Sequence, residues 1–429
     1  MKICVQGLWH LGSVTAACMA SLDHDVIGFD DNAATITSLN QGIPPLFEPG
    51  LEDLTRQGIT KGKLTFTSNP IEAVKNIELL WVTYDTPVDD DDNANVDFVL
   101  SKVEAILHFL PIATIVLISS QLPVGSIRRL EEIAKNCFPE KNILFACSPE
   151  NLRLGKSLNA FLNPDRIVVG VRSQSDQDRL SFLLHTITDR IEWMSVESAE
   201  MTKHAINAFL ATSVTFANEI ASICELIGAD AKEIERGLKS EQRIGPKAYL
   251  SPGAAFAGGT LARDISFLNN IAKDQRLSTP LLCSVKTSNN EHRKWVQRRL
   301  LSIFPDLSKI SVAVWGLTYK PGTDTLRRSM SVELCEWLIS KKVSVRVHDP
   351  AVKDLPPSLD KVHRTDNALE ALKNVHVLVI STEWEEYKQY RAEDISQTTP
   401  GIIVLDANRF LSSLAGNSEL RYFAVGSPG

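Results

Sequence analysis

The chain has no surplus of positive charge. Its 45 Lys and Arg against 52 Asp and Glu leave a formal net charge of −7. There is therefore no basic footprint for nucleic acid or for an anionic membrane, and neither is expected as a partner. A phosphate-bearing ligand would have to be held by local loops and a few cations. The chain also lacks cysteine spacing of any constructive kind. Cys4, Cys18, Cys137, Cys147, Cys224, Cys283 and Cys335 are odd in number, scattered and free of C-x-x-C pairs. That spacing supports neither a disulfide framework nor a zinc site, so no metal is expected. Most sit in apolar segments, and the surroundings of Cys283 read as core packing. No apolar run approaches the ~18 residues of a membrane span, and Met1 leads into strand-like KICVQG rather than a signal peptide. Reduced cytoplasm is the compartment these absences predict.

What is present is ordinary for a globular protein: 44% hydrophobic and 23% charged residues over 429 positions. That length predicts two to four domains with ample core. Up to about residue 195 apolar strands alternate with helical segments, the pattern of a parallel doubly wound sheet. Candidate strands are Lys2–Val5, Asp25–Phe29, Leu79–Thr83, Ile115–Ser119, Ile143–Cys147, Arg166–Val169 and Glu192–Met194. A long proline-free helical pattern then runs from Ser198 to about Ala229, with Gly228 late in it. A more broken stretch, Ser240 to Asp264, contains a glycine loop, and helical sequence resumes to about Leu301. Strand alternation restarts at Ile310–Trp315 and recurs at Val343–Val347, Val375–Ile380 and Ile402–Leu405. The expectation is an α/β fold: two Rossmann-like doubly wound lobes joined by a long central helix and a helical middle domain. The boundaries fall at 1–195, 196–302 and 303–429.

The opening strand, turn and helix carry Gly7 and Gly12 at the first and third places of a dinucleotide fingerprint, with Trp9 in the middle place. The helix N-terminus can still offer amides to a pyrophosphate. Asp30 follows the second strand, where a carboxylate would hold ribose hydroxyls and repel a 2′-phosphate. The cofactor predicted is NAD.

Further along, PLFEPGLEDL contains Glu48, Pro49 and Gly50; Thr86-Pro87 follows the third candidate strand; and SSQLPVGS spans Ser119–Ser126. SPENLRLGKSLNAFLNPDRIVVG includes Glu150 and Leu154, KHAINAFLA includes Lys203 and Asn207, and PGAAFAGGTLARD runs from Pro252 to Asp264. VWGLTYKPGTDTLRRS, VHDP, STEW and LDANRF follow in the second lobe. In this order and register the chain resembles the nucleotide-sugar dehydrogenases of the UDP-glucose/GDP-mannose dehydrogenase family, along nearly its whole length.

The resemblance implies the chemistry. Lys203 and Asn207, four residues apart on one helix face, match the lysine and asparagine that stabilise the alkoxide and oxyanion. Asp264 matches the aspartate that manages the proton. Glu150 matches the glutamate of thioester hydrolysis. Three departures cluster on the second half-reaction. Thr260 stands at the nucleophilic cysteine, Gln121 at a threonine that helps hold the active-site water near the cofactor, and Leu154 at a second glutamate. Thr86 is expected at the cofactor edge.

For the nucleotide sugar, the resemblance implies Lys320 and Arg327 on the diphosphate, with Tyr249, Leu250 and Gly258 shaping the pocket. It also implies that Arg243 reaches the sugar site of a neighbouring subunit in a homodimer. Asn408 stands where the family often has arginine, with Arg409 alongside. The expected activity is NAD-dependent oxidation of the sugar's primary alcohol, stopping at the aldehyde because Thr260 replaces the thiol. The alternatives are full four-electron oxidation without covalent catalysis, and a non-catalytic nucleotide-sugar binder.

Overall fold

The structure, a computed structural model, describes every residue except 88, 90–93, 151, 153, 258 and 429. The chain divides into two compact units, Met1–Ile206 and Asn207–Gly429.

The first unit is built on eight strands: β1 (Lys2–Gln6), β2 (Asp25–Phe29), β3 (Leu64–Thr67), β4 (Leu79–Val82), β5 (Ile115–Ile118), β6 (Leu144–Cys147), β7 (Ile167–Val171) and β8 (Ile191–Ser195). They lie in the order β3-β2-β1-β4-β5-β6-β7-β8. The central strands LLWV and IVLI are buried along their length, as strands covered on both faces must be. The wholly parallel sheet expected from the alternation is corrected at one place: β6 and β7 are antiparallel, pairing Cys147 with Gly170. Among the described residues between them lies the short helix Ser157–Leu162.

The helix His10–Ser21 buries ten of its twelve residues against this sheet. Gly12 permits the close approach: a Cβ there would run into the Gly7 carbonyl and lie 2.7 Å from the Thr83 hydroxyl. Gly12→Val would lever the helix off the strands and expose core residues such as Val14 and Met19, each worth about 1.5–3 kcal/mol when buried.

The helix Val196–Ile227 runs from the first unit into the second, and Gly228, with φ +77°, stops it. By length and composition this helix could cross a membrane, although no such run stood out in the sequence; 33% of its most apolar window is buried. Helices Ala231–Ser240, Thr260–Asp274, Pro280–Arg293 and Trp295–Ile303 follow. A second sheet comprises β9 (Ser311–Trp315), β10 (Ser344–His348), β11 (His363–Arg364), β12 (Val377–Ile380), β13 (Ile403–Asp406) and β14 (Arg421–Phe423). Its order is β11-β10-β9-β12-β13-β14, with every pairing parallel. Buried Trp315 stacks on Tyr387 at 4.9 Å inside its core.

Candidate active site

At the end of β1 the chain turns through Gly7, whose φ of +92° only glycine adopts without strain. A Cβ there would meet the Tyr84 ring at 2.7 Å. Trp9, in the glycine-less middle place, has φ −80°, an angle open to any residue, and starts the helix without a side-chain cap. No acidic residue occupies the first turn. The first amides and the positive dipole end are therefore available to a pyrophosphate. A cleft of about 330 Å³ opens here, bordered by Gly7, Trp9, Asp30, Asp31, Tyr84 and Lys102. Asp30 Oδ2 accepts from the Leu8 N–H at 2.8 Å and Oδ1 from the Asn32 N–H at 2.9 Å. Lys102 pairs with Asp31. These residues fit NAD: uncapped amides for the phosphates, two carboxylates where a 2′-phosphate would be repelled. Trp9 makes one wall of the same cleft. Thr86 turns elsewhere, donating to the Gln121 carbonyl at 2.7 Å, while its neighbours Asp85 and Pro87 line the cleft.

Beyond β5 and β6 lies a smaller cavity of about 20 Å³, bordered by Ser120, Gln121, Cys147, Glu150, Glu200 and Lys203. Lys203 Nζ donates to the Glu150 carbonyl at 2.6 Å, and the Glu150 carboxylate accepts from the Leu152 N–H. Lys203 and Glu150 are thus brought together through the backbone of Glu150. Gln121 belongs to this cavity rather than to the cofactor cleft. Glu200, unremarked in the sequence, accepts from the Gly125 N–H at 2.8 Å and the Ile127 N–H at 3.1 Å. Burial pushes its carboxyl up despite those bonds. Leu154 is exposed.

In the second unit the loop Pro252–Gly259 delivers Thr260 as the first residue of its helix; Thr260 is exposed. Asp264, one turn later, is fully buried and accepts a hydrogen bond from the Asn207 amide. Asn207 and Asp264 are therefore brought together. Cys283 corrects its expectation: it is exposed, because the helix Pro280–Arg293 turns Val285, Asn289 and His292 inward. Its thiol lies against Asn269, nine residues beyond Thr260 on the neighbouring helix, about 13 Å along that axis. Cys4, Cys18, Cys147, Cys224 and Cys335 are buried. Burial pushes the thiols of Cys18 and Cys335 up to about 12. Cys147, although it borders the Lys203 cavity, is pushed up by burial and by Glu200.

The residues expected to hold the nucleotide sugar are mostly at the surface. Lys320 and Arg327 are exposed, as is Tyr249, and Leu250 is half-buried. Arg243 is exposed and pairs with Glu241 at 3.1 Å. Gly258 lies outside the described residues. Asn408 does not extend as an arginine would: its Oδ1 accepts from the Ala254 N–H at 2.6 Å. Arg409 is engaged with Asp230 at 2.8 Å. Sequence spacing missed Asn218, Asn289 and His292, which bond the same loop. Their only sequence signal was polarity within otherwise inward-facing helix positions.

The comparisons with known proteins agree with this geometry. The NAD binding, central and UDP binding domains of the UDP-glucose/GDP-mannose dehydrogenase family match residues 1–188, 197–291 and 313–413. A UDP-glucose 6-dehydrogenase of Pseudomonas aeruginosa is 31% identical, covering 100% of this chain and 98% of its own. One from Rickettsia bellii is 31% identical with 100% of both chains covered. Among solved structures, a UDP-glucose dehydrogenase from Pyrobaculum islandicum superposes with a TM-score of 0.85 at 26% identity, over 99% of this chain and 98% of that one. The fold is shared also with a UDP-D-ManNAc dehydrogenase from Pyrococcus horikoshii, TM-score 0.85 at 22% identity over 99% of each chain. With a dinucleotide turn, a buried Asn–Asp pair and three successive domain matches, the chain belongs to the UDP-glucose/GDP-mannose dehydrogenase family, the NAD-dependent nucleotide-sugar dehydrogenases.

Proposed function

We propose that the protein oxidises the primary alcohol of a nucleotide sugar and stops at the aldehyde or its hydrate, forming one NADH per sugar. Bound NAD supplies the hydride acceptor. The chain's own residues do the rest. Asn207 and Asp264 form a buried polar pair, and Lys203 lies one turn earlier on the same helix. A donor amide and an ammonium can hold the oxygen charge that develops as the hydroxyl proton leaves, and Lys203 and Asp264 can carry that proton. The Glu150 carbonyl accepts from Lys203 Nζ.

The observation that carries the stop at aldehyde is Thr260 at the start of its helix. Its hydroxyl needs a dedicated base before it attacks. Cys147, the thiol that borders the Lys203 cavity, is held protonated by burial and by Glu200. Without a covalent adduct the aldehyde is a poor hydride donor. Product mass and NADH stoichiometry at completion, across UDP-, GDP- and ADP-linked sugars, test the reading. Two NADH and a uronic acid overturn it, and no NADH with any nucleotide sugar favours a non-catalytic binder.

We assign residues 1–195 to NAD, 196–302 to the central segment and 303–429 to the nucleotide. A homodimer through the central helix is supported by Phe209, Phe216 and Ile223, spaced by seven and 70%, 47% and 52% exposed. Seven residues are two turns, so the three make one apolar stripe. Arg243 is exposed, and in that assembly it would exchange its pairing with Glu241 for a neighbouring copy's sugar site.

A further inference from the structure

Side chains from three elements hold the backbone of the loop that leads to Thr260. Asn218 Oδ1 accepts from the Gly253 N–H at 3.0 Å. His292 Nε2 donates to the Gly253 carbonyl at 2.8 Å, from a ring that burial keeps neutral. Asn289 grips Phe256 twice, accepting from its N–H at 3.0 Å and donating to its carbonyl at 2.9 Å. Those three residues belong to helices of the central segment. The fourth is Asn408, on the turn after β13, which accepts from the Ala254 N–H at 2.6 Å.

That turn is itself fixed. The buried Asp406 carboxylate accepts from the N–H groups of Phe410 at 3.0 Å and Leu411 at 2.7 Å and from the Tyr422 hydroxyl at 2.9 Å. Arg409, left-handed at φ +56°, is anchored to Asp230 at 2.8 Å. Gly253 leaves no room for a Cβ against Asn408. Asn408, Ala254 and Ala255 also form part of one wall of a cleft of about 400 Å³, with Arg293 and Ser381 among the other walls. Only positions 257–259 separate Phe256 from Thr260.

We propose that Asn408 is a positioning residue that couples occupancy of this cleft to the setting of the helix Thr260–Asp274. This rests on the dehydrogenase reading, in which that helix carries Asp264. A nucleotide in the cleft meets Asn408 and Ala254 together, so it tightens the clamp, and the tightened loop presents Thr260 and Asp264 in their reacting register. A hydrogen bond accepted by one side-chain oxygen accounts for the link, so an aspartate, which keeps that acceptor, should replace the asparagine and an alanine should not.

The test uses the full chain, UDP as probe, and two variants, Asn408→Ala and Asn408→Asp. Amide exchange should slow across 253–256 when UDP is added to the parent protein, and should stay fast in Asn408→Ala. With the sugar nucleotide that the parent turns over, Asn408→Ala should lose about tenfold in kcat with an unchanged KM for NAD, and Asn408→Asp should recover most of it. Equal UDP protection in parent and Asn408→Ala, or none in either, overturns the proposal. So does an Asn408→Ala enzyme with parental kcat, or an equal loss in both variants. A parent that makes no NADH defeats the dehydrogenase reading instead, and the exchange measurement still decides the coupling.

Discussion

Asp30 holds the Leu8 N–H at 2.8 Å, locking the carboxylate at the end of β2 to the turn after β1. The second sheet repeats the device: Asp349, after β10, accepts from the Leu317 N–H at 2.6 Å, just past left-handed Gly316. The two differ in what is left over. Asp349 also takes the N–H groups of Thr318, Ala351 and Val352 and the Trp384 indole. A carboxylate has about four acceptor sites, so Asp349 is consumed by its own fold. Asp30 takes two backbone N–H groups and borders an open cleft. It retains acceptor capacity for ribose hydroxyls.

The cofactor preference should therefore depend on Asp30. Asp30→Ala is expected to raise KM for NAD about 10-fold or more, the loss of charge-assisted hydrogen bonds, and to narrow the preference over NADP. Titration of both cofactors against parent and variant measures it. A parent enzyme that prefers NADP would remove Asp30 from the cofactor site.

Asn207→Ala should strike the chemical step rather than cofactor binding. Losing a preorganised donor at a developing oxyanion costs roughly 10²-fold in kcat, and it also leaves the fully buried Asp264 carboxylate without that partner. The expected signature is a fall in kcat with NAD affinity, followed by fluorescence quenching, unchanged. A parental kcat would separate the pair from the reaction.

The strands that the sequence conceals all lie at sheet edges, whereas the edge strand β8 is legible along with the central ones. β3, β11 and β14 each have a single neighbour, and β11 is two residues long, so their apolar patterns are short or half exposed and leave little periodicity to read. The site divides in the same manner. Gly7 and Asp30 are singled out by a turn and a strand end, and Lys203 and Asn207 by the family motif they match on one helix face. The grip of Asn408 on Ala254 joins positions 154 apart in the chain, and no local pattern announces it. Cys283 was misjudged because its apolar neighbours in sequence face a different way around the helix from the thiol.

Acid stability should owe a measurable share to Glu235. Burial alone would raise its carboxyl, but hydrogen bonds from Lys239, Ser251 and Lys232 overcome that and hold it at about 2. A folded value below the unfolded one means the unfolded chain binds more protons in between. The stabilisation is thus complete above the ordinary glutamate range near ~4.5 and is lost as pH falls toward 2. With both lysines partly exposed, screening leaves about 1–2 kcal/mol. Glu235→Gln should lower Tm at pH 7 and flatten its decline between pH 5 and pH 2; an unchanged acid limb would contradict this.

The apolar stripe on the central helix should hold two copies together. Phe216→Glu places a charge between Phe209 and Ile223, and unpaired charge in a buried interface is strongly unfavourable. Light scattering should report the parent as a dimer and the variant as a monomer with retained helix content. A monomeric parent at micromolar concentration would remove the stripe's proposed role.

Thr260→Cys is the most direct test of where oxidation ends. The new thiol would sit at a helix N-terminus, where the dipole and free amides lower a cysteine from its usual ~8.5 toward thiolate. Its sulfur can add to the aldehyde carbon, giving a thiohemiacetal that surrenders a second hydride to NAD and becomes a thioester. Water then cleaves the C–S bond to yield the acid and restore the thiol. By the sequence resemblance Gln121 and Leu154 replace groups that serve the water and its activation, and on that reading hydrolysis should lag behind the second oxidation. The expected outcome is a second NADH formed as a burst of about one per active site, with protein mass increased by the acyl sugar nucleotide on Cys at this position and only slow release of the acid. The parent should show neither burst nor adduct. A Thr260→Cys enzyme that still stops at one NADH, with no adduct by mass spectrometry, would show that the missing thiol is not what halts the reaction.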